Sequence, residues 1–451
     1  MSRITSQACR GCSVILFAVI LPVCGLAQEP VQEAAPPQWQ RAGPSLELSL
    51  SVAHTDNIFR EALNKQSDTI ASAGLGVNLA RDRERLKARA LGNLGWYDYL
   101  DNSYESEVLG YFNGWADLEL IADRLDWQFL ESFGQLVTDP FQAQTPDNLE
   151  NVNYFTTGPT LTLRTGATTL LQLNGTFSST DYEESQSDND QLAGTIALVR
   201  QVSSRSNVSM NASYADVRFD DRLINTDYTV KAAYAGFLAQ SFRTQLSAKL
   251  GYSKLEREGV PSTGGAFVQI VASRRLSPSA NAFLSVRQQY SNAAAALREG
   301  LDSSTGVPRT GIATADVFRE RGVSLGWSYE RARTAVGIAA DWTKEAYEEP
   351  GDLDRRIRRM DVYFTRRLRP TVSWRLDARQ ERSRYPASAF EDDQINAGTS
   401  LAWQAGRQVV VEMRYDWFDR NTAGAGALVG DAGEYSESRY TFRVSYRPVG
   451  N

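Results

Sequence analysis

Two features of the sequence could in principle support hydrolytic chemistry. Gly322-Val323-Ser324-Leu325-Gly326 matches the G-x-S-x-G pattern, in which a serine nucleophile sits on a strand-to-helix turn beside a histidine and an acid. Here the pattern lies inside a run of alternating apolar residues, and His54 is the only histidine of the chain. A strand with two small residues, and a polar histidine at its rim, explain both features. We therefore expect no catalytic residues and no enzyme.

Metal and cofactor chemistry has little support. Acidic clusters could offer oxygen ligands to Ca²⁺, but none has the spacing of a dedicated calcium loop. They are Asp181–Glu184, Asp188–Asp190, Asp220–Asp221, Glu345–Asp354 and Glu391–Asp393. Solvated outer loops that bridge divalent ions to lipopolysaccharide are the simpler expectation. With three cysteines, all before residue 25, and one histidine, we expect no His/Cys metal site. No glycine-rich phosphate loop is present, so we expect no cofactor.

The N-terminus has the three parts of a secretory signal. Arg3 and Arg10 form a basic region, Val14–Leu21 is apolar, and Gly25-Leu26-Ala27 provides small residues before a cleavage site. Residues 1–27 are therefore predicted to be a signal peptide. Removing the two arginines leaves 46 basic against 54 acidic residues, a net charge of −8, which argues against nucleic acid as a partner. Residues 28–43, rich in Pro, Gln and Ala, predict a disordered lead.

The rest of the chain is organised by alternation with a period of two. In Gln191–Phe219, apolar residues such as Leu192 and Ile196 alternate with small polar residues such as Thr195, and Ser203-Ser204-Arg205 makes a turn. Strands of about 10 residues or more suffice for a tilted crossing of a bilayer. About 20 such strands (18–22) follow one another, so residues 44–446 predict an antiparallel transmembrane β-barrel, with 447–451 as a tail. A soluble propeller or β-solenoid is the alternative.

The connections alternate in length, as they do in outer-membrane barrels with short periplasmic turns and longer extracellular loops. Long connections are predicted near residues 55–68, 139–151, 292–315 and 421–434. Charged residues occupy one face of several strands, where they cost little only if that face meets water. The candidates for lining a water-filled lumen are Arg375, Asp377, Arg379, Glu412 and Arg414.

Four features resemble a known family. They are Thr55–Arg60 after the first strand, the Asp139–Asn148 loop, Asn153–Pro159, and the repeated Tyr-Asp strand ends. They look like the outer-membrane β-barrel porins encoded with exopolysaccharide secretion genes, including the type associated with PEP-CTERM and exosortase systems. The resemblance implies a conduit for an extracellular polysaccharide, with the polysaccharide chain, periplasmic export proteins, outer-membrane lipid and lipopolysaccharide as partners. It carries over no catalytic residues.

We therefore expect a β-barrel in the outer membrane of a Gram-negative bacterium that takes part in polysaccharide export. A general diffusion porin for small hydrophilic solutes is the alternative, favoured if Ala293–Ala315 folds inward to constrict the pore. A barrel enzyme acting on lipid is a third possibility, and it predicts that Ser324 and His54 lie close together.

Overall fold

A computed structural model describes residues 45–301, 311–348, 353–424 and 433–448. The predicted signal peptide and lead lie outside the described residues, as does the end of the predicted tail. The described part of the chain consists of twenty β-strands, one α-helix and one short 3-10 turn at Pro146–Asn148.

The strands follow the predicted spacing and are long. The first ten are β1 (Ser45–Thr55), β2 (Asp68–Arg83), β3 (Leu86–Tyr99), β4 (Glu107–Ile121), β5 (Leu125–Val137), β6 (Leu149–Arg164), β7 (Thr169–Tyr182), β8 (Asn189–Ser203), β9 (Ser206–Phe219) and β10 (Tyr228–Gln240). The next three are β11 (Thr244–Arg257), β12 (Val260–Ser277) and β13 (Ala280–Ser291), followed by helix α1 (Ala293–Leu301). The last seven are β14 (Phe318–Arg331), β15 (Thr334–Tyr347), β16 (Arg355–Arg369), β17 (Val372–Tyr385), β18 (Phe390–Gln404), β19 (Val409–Ala423) and β20 (Tyr435–Tyr446).

The sheet closes on itself. Each strand pairs antiparallel with its neighbours in sequence, and β1 pairs with both β2 and β20. At the closure, Leu50 lies opposite Ala73 on one side and opposite Val444 on the other. A closed barrel leaves no unpaired edge, so every strand can satisfy its backbone hydrogen bonds inside a bilayer. The predicted antiparallel barrel of about twenty strands is confirmed.

The two faces of the barrel differ as the alternation predicts. Leu50 on β1 and Met210 on β9 are 69% and 73% exposed, although both are large and apolar. Their neighbours Ser49, Ser51 and Asn211 project to the opposite, inner face. An apolar outer band is stable only against lipid, and a polar inner face only against water or other polar groups.

The two ends of the barrel also differ. One end, here the turn end, has only tight turns, and both Ser45 and Tyr446 lie there. The other, here the outer end, has the longer connections, with two exceptions: residues 386–389 join β17 to β18, and Glu258 and Gly259 alone join β11 to β12. Gly259 has φ +72°, a conformation that glycine adopts without strain. Because this turn is tight, β12 begins four residues before the position expected from the sequence.

The buried apolar clusters lie at the outer end, inside the barrel. One consists of Leu136, Val152 and Tyr182 from the wall together with Ala293 and Leu297 from helix α1. The described parts of the stretch Ala293–Ala315, residues 293–301 and 311–315, therefore lie inward, and the first of them is a helix packed on β5 and β6. No helix among the described residues is long and apolar enough to cross a membrane.

Candidate functional site

The inner wall is charged on one side and mostly neutral on the other. The inner face of β5–β11 presents small hydroxyl residues such as Ser132, Thr195 and Ser213. The inner face of β13–β20 presents arginines paired with carboxylates. These pairs are Arg287–Glu320, Arg355–Glu345, Arg359–Glu381, Arg379–Asp361 and Arg420–Asp392.

The five residues expected to line the lumen all lie on this charged inner wall. Asp377 Oδ1 is 3.0 Å from Arg375 Nε, and Asp377 Oδ2 is 2.9 Å from Arg414 Nη2. Arg379 Nε is 2.5 Å from Asp361 Oδ1 on the neighbouring strand β16. The three residues Arg375, Asp377 and Arg414 thus form one network, whereas Arg379 and Glu412 belong to other pairs.

These pairs position charges more than they stabilise the barrel. The side chains of Arg375, Asp377 and Arg414 are between 27% and 45% exposed, and partly exposed pairs typically contribute about 0–1 kcal/mol each. Arg375 and Arg414 are each held by an aspartate two residues further along the same strand, and Arg414 also reaches Asp377 two strands away, so each guanidinium has a fixed direction. The result is an ordered set of cations and anions along one side of the interior.

Three connections enter the interior at the outer end, and two of them, β5–β6 and β13–β14, reach distant strands of the wall. The first two are residues 56–67 between β1 and β2 and residues 138–148 between β5 and β6. The third joins β13 to β14, and its described end lies against β5 on another side of the barrel. There Val137 N donates to Gly311 O at 2.9 Å, and Ala313 N donates to Val137 O at 2.8 Å. The two backbones form a one-residue parallel bridge between Val137 and Ile312.

The β5–β6 connection crosses in the opposite direction. The Phe141 ring lies 5.1 Å from the ring of Tyr385 and 5.2 Å from that of Phe390, on β17 and β18. Arg420 Nη2 on β19 donates to Pro140 O at 3.2 Å. With Ile312, the two wall aromatics form a second buried cluster. Apolar packing across the interior therefore occupies the outer mouth.

The β1–β2 connection is held by a buried ion pair. Arg60 Nε lies 2.9 Å from Glu437 Oε2 on β20, and its Nη1 donates to Gln144 O of the β5–β6 connection. Its guanidinium also stacks over Phe418 and Tyr435, 5.4 and 5.3 Å from their ring centroids. Burial opposes the charge of Arg60, but Tyr435 and Glu437 outweigh burial and raise the pKa of Arg60 above its usual value.

A pocket of about 390 Å³ lies beneath these connections. Ile58, Arg60, Gln144 and Pro146 of the crossing connections roof it. Its walls come from β1–β3, β19 and β20, and they include Ser51, Ser72, Tyr97, Tyr99, Glu412, Arg414, Asp416, Arg439 and Arg443. The lining therefore combines hydroxyl and aromatic groups with four arginines and two carboxylates. We call it the roofed pocket.

One arginine of the roofed pocket has spare hydrogen-bonding capacity. Arg443 Nε is buried and has no hydrogen-bond partner among the described residues. The nearest carboxylate contact of Arg443 is Nη1 to Glu412 Oε2, at 3.9 Å. An unpaired buried N–H is costly, so this group has a vacant position for an acceptor.

Ser324 and His54 do not come together. Ser324 lies on the inner face of β14 opposite Asp341, and its hydroxyl donates to Asp341 Oδ2. His54 lies on β1, which contacts only β2 and β20, and its Nδ1 is 3.3 Å from Thr69 Oγ1. The arrangement expected of a lipid-cleaving barrel enzyme is absent for these two residues. Within the described ranges, no group of three or more His, Cys, Asp or Glu side chains could hold a metal ion.

Sequence reasoning missed Arg60, Glu437 and Arg443 as members of a site. Arg443 alternates with the outward Phe442 and Val444, so its inward direction was readable from the periodicity. Arg60 was noted only as part of a motif. Its φ of +55° and its contact with β20 have no local signal in the sequence.

No family model and no curated protein matches the chain. Three solved structures resemble the barrel. A ferric enterobactin receptor (PfeA) mutant from Pseudomonas aeruginosa is 10% identical with a TM-score of 0.44, over 91% of this chain and 81% of that one. An FrpB iron transporter from Neisseria meningitidis is 7% identical with a TM-score of 0.45, over 90% and 81%. The siderophore receptor PirA from Pseudomonas aeruginosa is 11% identical with a TM-score of 0.40, over 90% and 81%. The likeness concerns the barrel fold.

The function predicted from the sequence is wrong. The similar structures are named as receptors or transporters for iron or siderophores, and their likeness to this chain concerns the fold alone. Both predicted functions also need a continuous passage, yet the described connections cross the outer mouth and pack against the opposite wall. A polymer conduit and a general diffusion porin are both set aside. The chain is a β-barrel protein of the Gram-negative outer membrane.

Proposed function

We propose that this barrel takes up a small anionic ligand across the outer membrane, and that the ligand binds in the roofed pocket. The observation that carries the proposal is the buried Nε of Arg443, which has no partner among the described residues and lies in the wall of that pocket. A carboxylate or phosphate oxygen would satisfy it. Charge-assisted hydrogen bonds to such oxygens are about twice as strong as neutral ones.

The charge and size of the pocket support the same conclusion. Four arginines and two carboxylates line it. Glu437 pairs with Arg60 and Arg439, and Asp377 pairs with Arg414. Arg443 is therefore the lining arginine with the weakest carboxylate contact. Arginine presents a planar fork of donors that matches carboxylate and phosphate groups. A volume of about 390 Å³ lies in the usual range of small-molecule sites. Tyr97 and Tyr99 offer flat apolar surface for the rest of the ligand.

Uptake through this pocket requires the crossing connections to move. The β1–β2 and β5–β6 connections form its roof, and Arg60 ties both to β20 through Gln144 and Glu437. A ligand from outside must displace this roof, bind, and then pass to the charged inner wall below. Lids that open and close around a ligand are a common device in transporters and enzymes. This requirement distinguishes the proposal from a permanently open pore.

The resemblance to the exosortase-associated barrel family stays a prediction and contributes nothing to this proposal. In the proposal, the lumen candidates Arg375, Asp377 and Arg379 line the path that the ligand follows below the pocket. In the same proposal, Glu412 and Arg414 are part of the pocket wall.

Binding to the folded protein in detergent tests the proposal. Isothermal calorimetry with glucose 6-phosphate should show saturable binding, and glucose at the same concentrations should show none. Ferric enterobactin, the ligand in the name of one similar receptor, belongs in the same series as a larger anion. Arg443→Gln should weaken binding of the phosphate compound by about tenfold, the worth of one charge-assisted hydrogen bond.

Lys249→Gln is the matched control. Lys249 is an inner-face cation on β11, outside the roofed pocket. Its removal should therefore leave the affinity for glucose 6-phosphate within about twofold of the wild-type value. Equal loss in both variants would show general charge attraction and contradict a specific site. A large, steady, non-saturating conductance of the wild-type barrel in planar bilayers would contradict the closed state on which the proposal depends.

A further inference from the structure

A row of cations crosses the outer surface of the barrel on four neighbouring strands. In register, Arg321 on β14 lies opposite Lys344 on β15, Lys344 opposite Arg356 on β16, and Arg356 opposite Arg384 on β17. One step nearer the middle of the barrel, Arg358 lies opposite Arg382. We call these six residues the basic patch. Like charges directly opposite one another on a sheet are destabilising unless an anion lies between them.

The basic patch begins where the lipid-facing band ends. Below it on the same outer face, β14 presents Val323, Leu325 and Trp327, and β16 presents Met360 and Val362. The patch lies toward the outer end of the barrel, so it faces the headgroup level of the outer leaflet. One lipid molecule could therefore contact these strands twice, with its acyl chains on the apolar band and its charged headgroup on the basic patch.

Most cations of the patch lack a counter-ion. Arg382 Nη2 and Arg384 Nε share Glu391, at 2.7 and 3.1 Å. Within the residues that the structure describes, Arg321, Lys344, Arg356 and Arg358 form no salt bridge. Beside them, Arg319, Arg321 and Lys344 line a surface cavity of about 290 Å³. Glu348 also lines it, and its carboxylate accepts from Thr263 Oγ1. The patch therefore offers several free donors next to a cavity that can hold part of a headgroup.

Among the described residues, other parts of the outer surface near the outer end lack this excess of unpaired cations. On β10 and β11, the outward Lys231 and Lys254 both pair with Glu256, at 2.5 and 2.8 Å. On β5 and β7, the outward side chains at the corresponding level are Glu131 and Asp181. The excess of positive charge is thus local to β14–β17, as expected of one binding site rather than of a generally basic rim.

We propose that the basic patch binds the phosphate groups of lipopolysaccharide in the outer leaflet. The charge complementarity accounts for the four unpaired cations. Continuity with the apolar band favours a lipid-attached phosphate over a free one, because the acyl chains gain apolar contact that inorganic phosphate cannot. The site is independent of the roofed pocket, which lies inside the barrel on other strands.

Lipid binding by the folded full barrel tests this site. Diphosphoryl lipid A is titrated into protein in detergent, and native mass spectrometry measures the bound fraction. The same lipid without its phosphates and inorganic phosphate are run in parallel. Wild-type protein should retain diphosphoryl lipid A, and R356Q/R358Q should weaken the binding by about tenfold or more, since each cation near an anionic lipid surface contributes substantially. Dephosphorylated lipid should bind the wild type as weakly as the full lipid binds this variant.

R274Q/R366Q is the matched control, because both arginines face outward on β12 and β16 but lie near the turn end. It should bind diphosphoryl lipid A within about twofold of wild type. A heat-modifiable gel shift confirms folding, and K344Q replaces the double variant if that variant does not fold. Equal binding by wild type and the patch variants, or displacement of the lipid by an equal concentration of inorganic phosphate, would overturn the proposal.

Discussion

Arg60 Nε and Glu437 Oε2 lie 2.9 Å apart at the point where the β1–β2 connection, the β5–β6 connection and strand β20 meet. Glu437 is 1% exposed and also accepts from Thr55 Oγ1 at 2.7 Å. Its carboxylate therefore joins the roof of the pocket, through Arg60, to the wall strands β1 and β20. We expect the position of the β1–β2 connection to depend on this contact, and the first prediction tests that dependence.

Glu437→Gln should loosen the roof. Removing one partner of a buried ion pair leaves the other charge without compensation, at a cost of about 3–5 kcal/mol. The barrel wall does not depend on this pair, so the loss should appear as local opening of residues 56–67. Hydrogen exchange should show faster exchange there, and planar bilayers should show new conductance. Glu412→Gln, a partly exposed wall carboxylate, is the control, and similar exchange in both variants would contradict the assignment.

Leu297→Ala should release helix α1 from the wall. Leu297 is fully buried against Leu136 and Val152, and such a truncation typically costs about 2–5 kcal/mol because it leaves a cavity. We expect faster hydrogen exchange in residues 293–298 without loss of the folded barrel on gels. Leu223→Ala, at a position 98% exposed, should change neither measurement. Unchanged exchange in the first variant would show that α1 is held by other contacts.

A disulfide between Val137→Cys and Ile312→Cys should lock the β13–β14 connection to β5. The two residues form a parallel bridge, which places their side chains on the same side and close enough for an S–S bond. All native cysteines precede residue 25, so in the processed protein the new pair has no competing thiol. Oxidised protein should lose uptake of the anionic solute into proteoliposomes, and a reductant should restore it. Uptake that is equal in both redox states would show that this connection does not move.

Acid should tighten the β7–β8 connection. Burial, with Asp220 and Glu150 nearby, raises the pKa of Asp188 above its usual value, against a lowering contribution from its bond to Tyr182 N. Because the folded pKa exceeds the unfolded one, the charged form costs stability, and that cost disappears as the pH falls through the folded pKa. The protection factors of residues 183–188, which correct exchange rates for the intrinsic pH dependence of amide exchange, should therefore rise on mild acidification.

Asp188→Asn should remove this pH dependence. The amide keeps an acceptor for Tyr182 N, whose bond to Asp188 Oδ1 is 2.7 Å long, but it carries no charge. At neutral pH the variant should show the protection factors of acidified wild type in residues 183–188. A variant that still responds to pH over the same range would assign the effect to neighbouring carboxylates instead.

The sequence by itself determined the barrel, because the period of two is a local property. Leu376 faces lipid while Arg375 and Asp377 face inward, and this follows from alternation along one strand. The strand number and the two kinds of connection follow from the same pattern and from the turn residues. The inward direction of Arg443 was also accessible in this way.

The closed outer mouth was decided only by the tertiary structure. Phe141 reaches Tyr385 across the interior, and Arg60 reaches Glu437 on the strand that closes the barrel beside β1; both contacts join segments far apart in the chain. Connections have no periodicity to indicate their direction, and their positions depend on which wall residues the closed sheet brings opposite them. For that reason alternation could predict a lumen and its charged wall, but not the roof over the pocket at the outer mouth.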